Sequence, residues 1–207
     1  MFFYLFTIIS NMVCISVCDI LILHNWLHEV TPQYVVYQVI INVAYILIID
    51  VLVVLIFYFI LPKKWFDPFS KSFRASDKER KFYNFWGIRK WKDKIPAGIG
   101  FRKDKVYEKD NPDYVLMFLQ DSAIAEREHL FTLFIGWIIA FVNPFTPMRY
   151  ILAFACPVCC THLMLHLMPV MVQRYNRPKL IILYNRLKEK QARAVVDASM
   201  KKNEQTT

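Results

Sequence analysis

The chain lacks the sequence signatures of nucleic-acid-binding proteins, although it is basic. It carries 26 Lys and Arg against 17 Asp and Glu, a formal net charge of +9, but no zinc-finger, helix-turn-helix or RNA-binding signature accompanies them. Internal repeats and low-complexity tracts are also missing, which argues against a repeat protein. The basic residues are better explained by membrane topology and by attraction to anionic lipids of the inner leaflet.

The first apolar segment lacks the features of a cleaved signal peptide. No Lys or Arg precedes it and no clear small-residue cleavage site follows it, so we predict that it remains as a membrane helix. The sequence also offers no disulfide framework, because every cysteine falls within a predicted span, where oxidation is disfavoured. These cysteines are Cys14, Cys18, Cys156, Cys159 and Cys160.

Long apolar runs dominate what the sequence does contain. Hydrophobic residues make up 56% of the 207 positions and the mean hydropathy is +0.29, which is too apolar for an ordinary soluble domain. A bilayer core of about 30 Å needs roughly 20 apolar residues per helix. Residues 2–23, 35–61 and 150–172 meet this length, and 130–142 does so if extended back to Ala123. The sequence predicts an all-α integral membrane protein with about four transmembrane helices and a long cytoplasmic loop.

Lysine and arginine are distributed very unevenly along the chain. Residues 62–129 hold 16 of the 26, the segment from Gln173 onward holds nine, and residues 24–34 hold none. Since positively charged loops are retained in the cytoplasm, we predict a multi-pass protein of the cell membrane with both termini cytoplasmic.

Three regions follow from this topology. Residues 1–61 are predicted to form two N-terminal membrane helices. Residues 62–190 contain the basic loop, two further membrane helices and the start of a cytoplasmic helix over 184–200. Residues 191–207 complete that helix and end in a disordered tail.

Four ionisable residues lie at the inner boundary of the third predicted span: Glu126, Arg127, Glu128 and His129. Such groups cost about 2.5–3.5 kcal/mol each on insertion scales, so they usually face a bundle interior, although snorkelling to the interface is an alternative. Glu126 and His129 share a helical face, where the carboxylate can accept the ring N–H of the imidazole. The other ring nitrogen can then take a proton from an alcohol attacking an activated carbonyl. We therefore predict His129 as the catalytic base and Glu126 as its orienting partner.

Two further clusters are predicted at the same membrane face. The first interleaves indoles with cations and comprises Trp86, Arg89, Lys90, Trp91 and Lys92. The second follows the last span and comprises Gln173, Arg174, Tyr175, Asn176 and Arg177. Such groups at headgroup depth suit membrane anchoring, and they equally suit the binding of phosphate-bearing ligands.

These blocks, in this order, resemble the glycosyl-4,4'-diaponeurosporenoate acyltransferase family of carotenoid biosynthesis. The resemblance covers about residues 62–190 and rests on R-K-W-K-D-K-I-P at 89–96, E-x-x-H at 126–129 and Q-R-Y-N-R-P at 173–178. It implies transfer of a fatty acyl group to a sugar hydroxyl of a membrane-bound, glycolipid-like acceptor. The family pattern has arginine where this chain has Ile124, so a different hydroxylated lipid acceptor is also open.

The sequence thus predicts a membrane acyltransferase whose two cationic clusters bind an anionic donor, with acyl-CoA as the expected co-substrate and no cofactor. Its expected partners are membrane lipid, the acyl donor and a lipid-linked hydroxyl acceptor, and not nucleic acid. We expect the catalytic pair and both clusters to converge on one cavity. The alternative is a non-enzymatic lipid-binding or assembly protein in which the aromatic and basic clusters serve only as anchors.

Two histidines in the last predicted span invite a metal site, which the sequence does not favour. His162 and His166 lie one turn apart near three cysteines, but the segment is apolar and lacks defined ligand spacing. We predict no metal and expect both histidines to hydrogen-bond to neighbouring helices. His166 is expected at about the depth of His129.

Overall fold

A computed structural model describes residues 2–95, 108 and 110–204. The last residue of the 89–96 run and the final residues of the predicted tail, 205–207, lie outside this part of the chain. Every element within it is helical, which confirms the all-α class. The main helices are α1 (Phe2–Asp19), α2 (Pro32–Leu55), α3 (Asp77–Phe85), α4 (Ile88–Trp91), α5 (Pro112–Phe141) and α6 (Cys156–Glu204).

Local capping signals explain where several helices begin. The Thr31 side chain accepts a hydrogen bond from the Tyr34 backbone N–H at 3.3 Å, and a proline follows it at the first helical position of α2. Ser76 and Glu79 form a reciprocal capping box at the start of α3. Asn111 caps α5, again followed by proline. These residue types satisfy backbone N–H groups that have no partner within the first turn.

Three helical segments are long and apolar enough to cross a membrane. They are Leu5–Trp26, Pro32–Ile60 and Met148–Lys201, and each extends a main helix by short π-helical or 3-10 turns. The chain is therefore a helical membrane protein. The third predicted span in chain order, 123–142, lies within α5, which is about 45 Å long at 1.5 Å per residue and packs against α6 and α2. The count of four spans stays a prediction.

The last helix differs from what the sequence predicts. A span ending near Val172 and a separate cytoplasmic helix are expected, whereas α6 is continuous from Cys156 to Glu204 and contains Pro169 and Pro178. Each proline removes one backbone hydrogen bond. Tertiary contacts stabilise the helix through this region, because side chains at 174 and 177 donate hydrogen bonds to other segments.

A neutral polar network joins the start of α2 to the α5–α6 connection. Asn42 donates to Thr146 Oγ1 at 2.8 Å and accepts from Asn143 at 2.7 Å, while Thr146 donates to Gln38 at 3.0 Å. Gln38 also donates to the Phe145 carbonyl at 3.1 Å. We call Gln38, Asn42, Asn143 and Thr146 the amide network. It holds the α1–α2 and α5–α6 connections at the same end of the bundle.

Candidate active site

Buried and half-buried polar side chains follow the seam between α5 and α6 in two groups. The ionic cluster comprises Glu79, Ser122, Glu126, Arg174 and Arg177. The histidine cluster comprises Asp50, Glu128, His129, His162 and His166. Glu126 and His129 are one turn apart on α5, and their α6 neighbours are about two turns apart, so the clusters are separated by roughly 5–12 Å along the seam.

Glu126 is the centre of the ionic cluster. Its side chain has no exposed surface, and its Oε1 accepts a hydrogen bond from Arg174 Nη1 at 2.7 Å while its Oε2 accepts one from Arg177. Charge-assisted pairs of this kind compensate a carboxylate for the loss of water. The sequence predicts that Glu126 orients His129, whereas both of its oxygens here are bonded to arginines. The physical reason is that α6 supplies full positive charges to a fully buried carboxylate.

The two arginines connect α6 to α5 and to the segment before α3. Arg174 donates to Glu79 and to the carbonyls of Ser72 and Arg74, at 2.9, 3.1 and 3.3 Å. Arg177 donates to the Phe73 carbonyl at 3.1 Å and to the backbone and hydroxyl oxygens of Ser122 at 3.0 and 3.2 Å. Ser122 in turn donates to Gln173 at 2.6 Å.

These hydrogen bonds affect the role predicted for residues 173–177 in ligand binding. Arg177 has no exposed surface and Gln173 is buried, so these two side chains brace the helices here. Tyr175 packs against the core cluster of Tyr83, Ile88 and Met171 and has the Lys179 ammonium over its ring at 4.8 Å. Asn176 is half-buried on the same turn.

Glu79 is a member of the ionic cluster that the sequence does not predict. Its hydrogen bond from Arg174 holds the pKa of the carboxyl below its ordinary value. Tyr83 also donates a hydrogen bond to it, and burial raises the pKa of that phenol. The S-x-x-E pattern at 76–79 is a signal from which a helix start could have been predicted, but it gives no indication of the partner on α6.

His129 lies in the histidine cluster, where its ring faces α6. Its Nδ1 is 3.0 Å from His166 Nδ1 and 3.5 Å from Glu128 Oε2. The prediction that His166 lies at the depth of His129 is therefore confirmed. The carboxylate next to this imidazole is Glu128, its immediate neighbour in sequence.

Asp50 joins the histidine cluster from α2. Its Oδ1 lies 2.9 Å from His162 Nε2, and its Oδ2 lies 3.5 Å from His166 Nε2. The expectation that both histidines contact neighbouring helices is confirmed. Gly136 of α5 lets the His162 ring approach, because a Cβ at that position would lie 2.7 Å from two ring atoms.

The histidine cluster offers donor atoms suited to a metal ion. Asp50, His162 and His166 bring three such atoms within 4.8 Å of one another, and Glu128, His129 and His166 form a second set. The sequence predicts no metal because the last predicted span is apolar and lacks defined ligand spacing. Neither described donor set contains a cysteine, and the two carboxylates come from other helices.

An apolar groove runs between the α3–α4 segment and α6. Its volume is about 640 Å³ and its lining is almost entirely hydrocarbon, indole and thioether. Trp86 and Trp91, both predicted as substrate-binding residues, line it, and Glu79 of the ionic cluster lies at its edge. The other lining residues are Phe82, Tyr83, Ile95, Met164, Leu167, Met168, Val170 and Met171. A groove of this size and character suits an extended aliphatic ligand.

The predicted cations lie on the surface beside this groove. Arg89 and Lys90 are exposed on α4, and Lys92 forms an ion pair with Asp93 at 2.8 Å. α4 is anchored by Ile88, which is fully buried in a core cluster with Met171 of α6. The structure therefore brings Trp86, Trp91 and the basic residues of α4 to one side of α6, outside the ionic cluster.

Comparison with known proteins identifies one family. A family model described as glycosyl-4,4'-diaponeurosporenoate acyltransferase matches residues 62–186, which is more than half of the chain. The match includes the groove, the ionic cluster and all members of the histidine cluster except Asp50. No curated protein and no solved structure matches the chain.

Proposed function

Because the chain belongs to the glycosyl-4,4'-diaponeurosporenoate acyltransferase family, we propose that it moves a fatty acyl group from acyl-CoA to a hydroxyl of a glycosylated carotenoid or similar lipid. The family is one of acyltransferases of carotenoid biosynthesis, so the chain is an enzyme with an acyl donor and a lipid acceptor. This favours the enzymatic interpretation over a lipid-binding or assembly protein. The donor, the acceptor and the cytoplasmic orientation are the proposed part.

The apolar groove is the observation that carries this proposal. A fatty acyl chain fits a hydrocarbon-lined groove of about 640 Å³ beside a membrane helix. The phosphates of a CoA donor require cations outside the bilayer, and Arg89 and Lys90 are exposed on α4 next to the indoles of the groove. Donor and lipid acceptor would therefore meet at the membrane surface with their apolar parts already buried.

We propose that His129 activates the acceptor hydroxyl. As its oxygen forms a bond to the thioester carbonyl carbon, its proton passes to the imidazole. The carbon–sulfur bond then breaks, and the imidazolium gives the proton to the departing CoA sulfur. Because His166 engages Nδ1 of His129, we assign the uptake of the hydroxyl proton to Nε2 as part of this proposal. The ionic cluster holds α5 against α6 and so fixes the position of this ring.

The direct test is acyl transfer from radiolabelled palmitoyl-CoA to a glycosylated acceptor by the purified full chain in detergent. His129→Ala should lower the rate by about 10²- to 10⁴-fold, the usual effect of removing a general base. His28→Asn is the matched control. His28 is an exposed histidine in the connection between α1 and α2, and its φ of 55° is one that asparagine tolerates. Full specific activity of His129→Ala would exclude this role.

The proposal that the groove binds the acyl chain has its own test, which measures a change in chain-length preference and so requires an active variant. Met164 lines the groove and is half exposed, so Met164→Trp should narrow it without disturbing the core. The variant should prefer shorter acyl chains than the wild type in a competition between lauroyl-CoA and palmitoyl-CoA. Phe134→Trp on the exposed face of α5 should leave the preference unchanged. Equal preferences in all three proteins would place the acyl chain elsewhere.

A further inference from the structure

We propose that Glu128, His129 and His166 form a binding site for one divalent transition-metal ion, and that Asp50 and His162 support it from the other side of the His166 ring. The metal content can be measured without the acyl-transfer reaction, so this proposal and the proposed function can fail separately. The ligand class is a first-row ion that accepts mixed nitrogen and oxygen donors, such as zinc or ferrous iron.

The arrangement of the three donor atoms carries the proposal. Nδ1 of His129 and Nδ1 of His166 face each other at 3.0 Å, and Glu128 Oε2 is 3.5 Å from the first of them. Two imidazole nitrogens this close require either a shared proton or a shared cation. Zinc binds histidine nitrogens at about 2.0–2.1 Å, which places neighbouring ligand atoms about 3 Å apart. Small movements of the Glu128 side chain would complete a set of two histidines and one carboxylate.

The surroundings of His166 match those of a metal ligand. Its Nε2 lies 3.5 Å from Asp50 Oδ2, and the other oxygen of that carboxylate is held by His162 Nε2 at 2.9 Å. Metal-binding histidines usually donate their second ring N–H to such an acceptor, which fixes the tautomer and directs the free nitrogen to the ion. An Nε2–H donated to Asp50 leaves Nδ1 of His166 available for the metal.

Charge balance points in the same direction. Asp50 and Glu128 are two carboxylates inside the helix bundle, and no Lys or Arg of residues 2–95 or 110–204 forms an ion pair with either. Asp50 lies about 15 Å along the helix from Ile60, well inside the span predicted over 35–61. Buried carboxylates are stabilised by pairing or by metal coordination. One divalent cation with three neutral imidazoles makes the whole cluster electrically neutral, whereas the ionic cluster already has an arginine for each glutamate.

A metal would change how His129 acts. If an ion were bound, Glu128, His129 and His166 would hold it, and its positive charge would lower the pKa of a nearby hydroxyl. Without an ion, the same ring would serve as the base that takes the hydroxyl proton. A strong chelator should lower the rate of acyl transfer if the enzyme works with a bound ion, and it should leave the rate unchanged if His129 acts without one. The measured metal content decides between these two forms.

The experiment uses the full chain purified in detergent, stripped with chelator and dialysed against zinc. Mass spectrometry of the metal content should find about one zinc per chain, and cobalt substituted in its place should give the visible absorption of a low-symmetry nitrogen–oxygen site. His166→Ala should lose the bound ion, while Asp50→Asn should retain it with roughly 10- to 100-fold weaker affinity, as expected for a supporting residue. His28→Asn should bind as the wild type does.

Two results would overturn the proposal. One is a well-folded wild type that retains no stoichiometric zinc or cobalt, and the other is His166→Ala binding as tightly as the wild type. Circular dichroism and gel filtration establish that each variant is folded. Should His166→Ala not fold, Glu128→Gln supplies the second variant, because it keeps the side-chain shape and removes the anionic ligand, and unchanged affinity there would also contradict the site.

Discussion

The amide network and the histidine cluster are both buried polar groups between the same helices, yet they differ in completeness. In the amide network, Asn42, Asn143 and Thr146 bond to one another at distances from 2.7 to 3.5 Å and carry no charge. The histidine cluster contains two carboxylates, and His162 Nδ1 is buried without a hydrogen-bond partner. A closed neutral network can join helices but has no spare donor or acceptor for a ligand. The histidine cluster has ionisable groups that a ligand can contact. We therefore expect the amide network to serve stability and the histidine cluster to serve the proposed chemistry.

The largest expected effect comes from the ionic cluster, in which each glutamate is paired with an arginine. Arg177→Met should destabilise the protein by about 3–5 kcal/mol, because it leaves Glu126 buried with a single arginine. Thermal unfolding in detergent measures this. The double variant with Glu126→Gln should recover part of the loss, since the unpaired charge is gone. A single variant as stable as the wild type would show that these charges are not buried as described.

Asp50→Asn should break the histidine cluster with little change in stability. The amide has nearly the same shape as the carboxylate but cannot serve as a charged acceptor, so acyl transfer should fall by about 10- to 100-fold. The measurement is product formed per unit of folded protein. If Asp50→Asn kept full activity and lowered only the unfolding temperature, Asp50 would belong with the structural polar groups.

Asn42→Ala should show the reverse pattern. It removes the hub of the amide network and leaves Thr146 and Asn143 without their shared partner, which should cost about 0.6–2 kcal/mol in a membrane bundle. Acyl transfer per unit of folded protein should be unchanged. If Asn42→Ala lost activity while its unfolding temperature stayed that of the wild type, the amide network would not differ from the histidine cluster in the way described.

The smallest effect concerns acid stability at the surface end of the ionic cluster. Arg174 holds the pKa of Glu79 below its ordinary value, so this carboxylate stabilises the fold above its unfolded-state pKa of about 4.3. That contribution is lost as the pH falls through the lower folded-state pKa. Unfolding temperatures measured from pH 7 to pH 3 should therefore decline less for Glu79→Gln than for the wild type. A parallel decline in both would show that the pair contributes nothing to acid sensitivity.

The sequence predicts more of the membrane architecture than of the site. Apolar runs located three membrane-crossing segments because burial in lipid depends on local composition. The sequence predicts His129 as the catalytic base from its position beside charged residues at a membrane boundary, and it predicts Glu126 as the partner from helical spacing alone. In the structure the arginines of α6 occupy Glu126, and His166 and Glu128 lie beside His129.

Sequence by itself determined that the chain is a helical membrane protein and that His129 belongs to a block shared with one enzyme family. These features depend on composition and on short motifs, both of which act over a few neighbouring positions. Only the tertiary structure decided which charges meet. Asp50 and His162 are 112 positions apart, and their contact depends on how α2 and α6 are rotated against each other, a packing outcome that no local pattern encodes.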